Sequence, residues 1–282
     1  MDLRPARHGL LDLLDEQRIG QADGWTTGTI ERERNGETMA LLNFRDVAET
    51  SPRGPLRPGR LFRSAQPYHL DATDLAVVRD AGIATIIDLR EPHEQVAPDW
   101  TSAESEGVQV VRVPLADQIL PSGDGEAPTR RIRLESDSIP EGHRILAEFY
   151  QAIVDMAGMR LAETMHAVGQ GRPVLVHCAA GKDRTGTAIA LLLDLIGTDH
   201  EAIVTDYLLT QVALPDALQQ LTGETPAQRN ARRDIPPGIS DAPESAIRTL
   251  LDHVRELGGA AAVLRRNTDQ ATLDRVVAAL TA

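Results

Sequence analysis

The run His177-Cys178-Ala179-Ala180-Gly181-Lys182-Asp183-Arg184-Thr185-Gly186 carries the side chains best suited to chemistry. Only a thiolate is a strong nucleophile, and nearby cations and helix N-termini favour it over the thiol. Cys178 is the sole cysteine of the chain. Arg184 offers a planar fork that grips two oxygens of a phosphoryl group at once. Lys182 adds a compact positive charge, Thr185 a hydroxyl that can donate to sulfur, and Asp183 a carboxyl for proton transfer. Apolar Pro173-Val174-Leu175-Val176 precedes the run and Ala188-Ile189-Ala190-Leu191-Leu192-Leu193 follows it. That pattern predicts a strand, a glycine-containing loop and a helix that starts at about Arg184. Backbone N–H groups of such a loop and of the first helical turn can converge on one anion. The combination points to a cysteine attacking phosphorus.

The rest of the chain must hold this loop. Residues 83–89 and 108–113 read as further strands, the first apolar throughout as in a parallel sheet. Leu61-Phe62-Arg63 reads as a short strand. Helices are expected over 71–82, 140–168, 200–214, 243–257 and 269–280. In the 140–168 helix, Ile145, Leu146, Phe149, Ile153 and Met156 recur at helical spacing and belong to the core. The expected fold is α/β, a central and mainly parallel sheet of four or five strands flanked by helices. The loop then sits at the carboxyl end of the strand that closes on His177, where open α/β sheets bind ligands.

The spacing Cys-x5-Arg-Thr, with His177 just before Cys178, resembles the signature of the cysteine-based protein tyrosine phosphatase superfamily. The fuller form resembles the narrower family of bacterial tyrosine/lipid phosphatases. Asn43-Phe44-Arg45-Asp46, Arg60-Leu61-Phe62-Arg63-Ser64, Ile87-Asp88-Leu89-Arg90 and Asp206-Tyr207-Leu208-Leu209 extend the resemblance from about Leu42 onward. It implies a tyrosine phosphatase-like fold and a phosphocysteine on Cys178. It also implies a phosphate bound by Ala179, Ala180, Gly181, Lys182, Thr185 and Arg184. Neither cofactor nor metal is implied, because the loop itself neutralises the charge. Lysine at position 182 also resembles phosphoinositide phosphatases. Phosphoinositides therefore stand beside phosphotyrosine and phosphoserine/threonine proteins as substrates. Lys182 is the only lysine in the chain, next to the only cysteine.

Three aspartates compete to protonate the leaving group. Asp183 resembles a residue proposed for that role in the family and ranks first. Asp117 follows the 108–113 strand, where the superfamily keeps its acid loop, but also reads as a solvated loop residue. Asp88 ends the 83–87 run and reads better as an ion pair that braces the loop. His177 is expected to fix the Cys178 backbone. Arg45 and Arg63 can brace the active-site floor or meet substrate, but read better as structural ion pairs with Asp46 or Asp88; Asp206 and Tyr207 are expected to pack and cap.

Residues 1–41 read as an appendage, with Asn35-Gly36 as a hairpin turn, and 42–282 as the phosphatase domain. Residues 120–140, with Arg130, Arg131 and Arg133, form a long polar stretch expected to act as a mobile flap. The resemblance implies a lid within 215–240, carrying Arg229, Arg232 and Arg233. A net charge of −13 and a pI near 5.0 argue against nucleic acid as a partner. An anionic substrate must be drawn in locally, within a Debye length of about 8 Å. One cysteine leaves neither an intramolecular disulfide nor a resolving thiol. Residues 1–20 lack the apolar stretch of a signal peptide, and no run reaches the ~18 apolar residues of a membrane span. Cytoplasmic residence is the default, and the resemblance leaves export without a standard signal open. The competing readings are an inactive phosphate-binding module and a rhodanese-like sulfurtransferase.

Overall fold

Val174, Leu175 and Val176 are all fully buried, as a strand covered on both faces requires. The computed structural model describes residues 41–49, 54–67, 72–95, 100–116, 138–224 and 237–282. In chain order the elements are β1 (Arg45–Asp46), β2 (Leu61–Ser64), α1 (Ala72–Asp80), β3 (Thr85–Asp88), a 3-10 turn (Pro92–Glu94), α2 (Thr101–Ser105), β4 (Gln109–Arg112), α3 (Ile139–Met156), α4 (Gly158–Val168), β5 (Val174–His177), α5 (Asp183–Leu195), α6 (His200–Thr222), α7 (Glu244–Glu256), α8 (Ala260–Leu264) and α9 (Gln270–Thr281). The sheet runs β1-β2-β5-β3-β4. Strands β2, β5, β3 and β4 are parallel, and β1 is antiparallel to β2. The expected mainly parallel α/β sheet is therefore present, with five strands.

Alternation along the strands splits the core in two. Leu175, Ile86 and Phe62 face a smaller cluster with Leu41, Val78, Ile83 and Trp100. Val174, Val176, Ile87 and Leu61 face the larger cluster built with α3 to α9. The register sets Ser64 and Asp88 on either side of His177. Three strand ends thus finish level, directly below the signature loop.

Two helix boundaries differ from the sequence expectation. The 140–168 helix is two helices, α3 and α4, broken at Ala157. A side chain at Gly158 would overlap Asn267, so the break brings the backbone close to the 267 turn. The helix expected to stop at Leu214 runs through Pro215 to Thr222. An interior proline costs a helix roughly 3 kcal/mol, but Leu214 and Ala217 are both 1 % exposed and hold the turn against the core. Gly223, at φ 68°, ends α6 in the left-handed cap that favours glycine. The short α8 was not expected. The Asn35-Gly36 hairpin, Asp117, the flap arginines Arg130, Arg131 and Arg133, and the lid arginines Arg229, Arg232 and Arg233 lie outside the described residues. Among the described residues, no helix is long and apolar enough to cross a membrane.

Candidate active site

Cys178 follows the last residue of β5 and is 2 % exposed. Helix α5 begins at Asp183, one residue before the expected start. Between them Gly181 adopts φ 68°, and a Cβ there would overlap the Ser64 carbonyl at the end of β2. Only glycine satisfies both conditions. The loop's carbonyls are tied down from the side. Gln66 N–H donates to Ala179 O at 2.9 Å. Asn43 Nδ2 and Arg63 Nη2 donate to Gly181 O at 3.1 and 2.7 Å. The N–H groups of Ala179, Ala180, Gly181 and Lys182 donate to no protein group among the described residues. A ring of uncommitted donors beside a helix N-terminus is a cradle for an anion.

His177 lies beneath the cysteine, fully buried. Trp100 Nε1–H, which can only donate, points at His177 Nε2 at 2.8 Å. The ring proton is therefore on Nδ1, which donates to Cys178 O at 3.0 Å. Asp88 Oδ1 stands 3.6 Å from the same Nε2, beyond hydrogen-bond reach. Asp88 is gripped instead by the Arg90 fork, Nε to Oδ1 at 2.9 Å and Nη2 to Oδ2 at 2.7 Å. Burial opposes its charge, but the Arg90 fork holds its carboxyl below the usual carboxylate range.

Arg184 is oriented by a residue that the sequence reading missed. Glu94 accepts from both Nη1 and Nη2, the latter at 2.7 Å. Leu89 O accepts a longer bond from Nη1 at 3.4 Å. The Nε–Nη2 edge is left facing no protein acceptor among the described residues. Burial works against the guanidinium charge, yet Glu94 and Cys178 together hold its pKa above the ordinary arginine value. Glu94 is itself fixed by a capping box with Glu91, whose N–H donates to Glu94 Oε2 at 2.8 Å. Glu91 Oε1 in turn accepts from Ala116 N–H at 2.8 Å. The legible signal for Glu94 was the Glu91-Pro92-His93-Glu94 pattern, a capping box with proline at N1.

Asp183 is 28 % exposed at its side chain, and its Oδ1 accepts from Tyr150 Oη at 2.7 Å. Lys182 does not reach outward. Its Nζ donates to Ile239 O at 2.6 Å and Asp241 O at 2.8 Å, and lies 3.4 Å from Asp183 Oδ1. The Thr185 hydroxyl is fully buried and has no hydrogen-bond partner among the described residues.

The floor of the loop corrects one expectation. Arg45 and Arg63, opposite each other in β1 and β2, pair with neither Asp46 nor Asp88. Both pair with Asp206 of α6, Arg45 Nε to Oδ1 at 2.9 Å and Arg63 Nη1 to Oδ2. Asp46 accepts instead from the Ala48 and Gly59 N–H groups. Thr210 and Asn43 complete the knot, with Asn43 at φ 58°. Asp206 is 1 % exposed. Burial raises its pKa, and the two guanidinium groups outweigh that and hold it below the ordinary value. Helix α6 is distant from β1 in sequence, so no local pattern indicated this partner.

Among the described residues, no group of three or more His, Cys, Asp and Glu side chains could hold a metal ion. Asp117 is outside the described residues, one position beyond the Ala116 that Glu91 secures.

Residues 37–282 match the tyrosine phosphatase family. The chain is 37 % identical over 198 residues to the triple specificity protein phosphatase PtpB of Mycobacterium tuberculosis, covering 64 % of this chain and 70 % of that one. It is 29 % identical over 170 residues to a tyrosine-protein phosphatase candidate of Cupriavidus necator, covering 60 % of each. Solved structures with weaker likeness include TpbA of P. aeruginosa, at 18 % identity and a TM-score of 0.31 over 70 % of this chain and 94 % of that one. The Siw14 catalytic core matches at 18 % identity and a TM-score of 0.35 over 65 % and 84 %. The match over the whole described region, on a chain whose cysteine loop closes a central parallel strand, means that this protein belongs to the tyrosine phosphatase family.

Proposed function

We propose that the protein hydrolyses phosphomonoesters through a phosphocysteine on Cys178, acting on phosphotyrosine proteins and on phosphoinositides. The observation that carries the reading is the loop itself. Cys178 stands among four uncommitted N–H donors, and Arg184 presents its Nε–Nη2 edge while Glu94 occupies the other. That edge fits two equatorial phosphoryl oxygens. In the first step the Cys178 sulfur bonds to phosphorus and the bond to the leaving oxygen breaks. Asp183 gives its proton to that oxygen. In the second step a water oxygen attacks phosphorus, its proton returns to the Asp183 carboxylate, and the sulfur leaves. The amides and Arg184 stabilise charge that develops on the equatorial oxygens, which is where such sites contribute most. His177, neutral and hydrogen-bonded to Cys178 O, positions the nucleophile and takes no proton.

The description of the mycobacterial relative as a triple specificity phosphatase supports more than one substrate class. Lys182 is the residue through which a polyphosphorylated head group would be read, and to do so its ammonium must exchange the Ile239 and Asp241 carbonyls for phosphate oxygens. Phosphate release from phosphotyrosine and phosphoserine peptides and from phosphatidylinositol phosphates, by the protein and by Cys178→Ser, tests the reading. Release should fall at least a thousandfold in the serine variant, and rapid acid quench should trap phosphate on the protein only when Cys178 is present. Release that survives in Cys178→Ser would overturn the phosphocysteine mechanism.

A further inference from the structure

Two tyrosines stand in line behind Asp183. Tyr150 of α3 is fully buried and Tyr207 of α6 is 1 % exposed. Tyr150 Oη lies 2.7 Å from Asp183 Oδ1 and 2.7 Å from Tyr207 Oη. Each phenol has one proton, and an ionised carboxylate can only accept. Tyr150 therefore donates to Asp183 and accepts from Tyr207. The Tyr207 ring is also wedged against the first turn of α5, where a Cβ on Gly186 would come within 3.0 Å of it. Burying two hydroxyls has a cost that phenylalanine would not carry, so core packing alone does not explain them.

We propose that Tyr150 and Tyr207 are positioning residues for Asp183, forming a chain that occupies Oδ1 and directs the transferable proton to Oδ2. This deepens the proposed function and rests on its reading that Asp183 handles the proton. A proton on Oδ1 would have to reverse both phenol bonds and leave the Tyr207 proton buried without an acceptor, which is costly. A proton on Oδ2 leaves the chain intact. Oδ2 makes no hydrogen bond among the described residues, so it is the oxygen available to a leaving group. Burial first, then Asp183 and the neighbouring phenol, push Tyr150 well above the ordinary tyrosine pKa. Burial first, and then Asp183, also raise Tyr207. Both phenols keep their protons in the working range and orient the carboxyl without titrating. The charged groups facing this chain are few. Lys182 Nζ lies 3.4 Å from Asp183 Oδ1. Arg63 and Asp241 act on Tyr207 with opposite sign. Asp241 is paired to His143 of α3 at 3.0 Å, and Asp206, next to Tyr207, is locked between Arg45 and Arg63.

The test is a set of pH–rate profiles for the protein, Tyr150→Phe, Tyr207→Phe, Asp183→Asn and the Tyr150→Phe/Asp183→Asn double variant. Each is measured with 4-nitrophenyl phosphate, whose leaving group needs little help, and with an alkyl phosphate, whose leaving group needs a proton. Tyr150→Phe should lose roughly tenfold on the alkyl substrate and about twofold on the aryl one, part of the roughly 10²- to 10⁴-fold a general acid supplies. It should also move the limb that reports Asp183 to higher pH, because a donor to the charged carboxylate is lost. Tyr207→Phe should act in the same direction and less. Tyr150→Phe should add nothing on the Asp183→Asn background. If Asp183→Asn slows both substrates equally, the reading of Asp183 itself fails. If Asp183→Asn is selective but both phenylalanine variants leave the limb and the substrate ratio in place, the positioning role is overturned while the Asp183 reading stands. Should Tyr150→Phe not fold, Tyr207→Phe decides alone, since its hydrogen-bond path to Asp183 runs through Tyr150: a moved limb supports the proposal and an unmoved one overturns it.

Discussion

Glu94 shows how much a single side chain off the signature can contribute. A guanidinium group on a long stem has many orientations, and a phosphoryl group needs one. By accepting from both terminal nitrogens, Glu94 selects the orientation in which the Nε edge is presented. Its own carboxyl lies below the ordinary glutamate range: burial works against it, and Arg184 outweighs burial. Glu94→Gln should keep the fold, because the 3-10 turn is short and a glutamine oxygen can still accept one of the two bonds. It should lower kcat/KM roughly 10- to 100-fold through misplacement of Arg184, with a shift in Tm of only a few degrees. Steady-state kinetics and thermal unfolding read both. Unchanged kcat/KM would mean that the amide ring alone orients the phosphoryl group.

At the scale of elements, the loop is held on three sides: by β1–β2 through Asn43 and Arg63, by the 3-10 turn through Arg184, and by the segment before α7 through Lys182. The last is the most informative. Gly238, at φ 81°, lies against Ile139 and His143, and Lys182 bonds to the Ile239 and Asp241 carbonyls just beyond it. An ammonium group bonded to two carbonyls is a strut between the loop and residues 239–241. Lys182→Ala should speed amide exchange at residues 239–242, followed by mass spectrometry, with little change at β5. If exchange is unaltered and only turnover of polyphosphorylated inositol lipids falls, the ammonium acts on substrate and the carbonyl contacts are incidental. Helix α6 has a comparable double role, because one turn supplies Asp206 to the floor and Tyr207 to the Asp183 chain.

For the molecule as a whole, carboxylates paired with arginine set the response to acid. Asp206, Asp88 and Glu94 are each raised by burial and lowered further by arginine, so each ends below its ordinary value. A carboxyl depressed by folding stabilises the fold above its unfolded value of about 3.9 to 4.3. That contribution is lost as pH falls through the folded value. Acid unfolding should therefore set in below about pH 4. Asp206→Asn should cost roughly 3–5 kcal/mol at neutral pH, because it strands two arginines. The gap between variant and parent should narrow as pH falls below about 4, measured by urea unfolding at stepped pH. A constant gap would mean that Asp206 acts by shape and not by charge.

The strand, loop and helix of the candidate site were legible because they are contiguous: Cys178 to Thr185 come from one stretch, and the apolar runs on either side identify the strand and helix that hold it. The central parallel strands β3 and β5 were legible too, because burial on both faces leaves no alternation to misread. What pairs with the loop was not. Glu94, Trp100, Tyr150 and Asp206 reach it from four separate elements, and a carboxylate or phenol in a sequence carries no mark of the arginine or aspartate it will meet. The same limit applied to helix ends. Pro215 signals a stop locally, and burial of Leu214 and Ala217 overrides it, while Gly158 admits Asn267 where periodicity alone would continue a helix. Residue type and spacing specify which groups can react. Only the packing of distant elements selects the tautomer of His177, the edge of Arg184 and the oxygen of Asp183, because each depends on a hydrogen bond between residues the chain order keeps far apart.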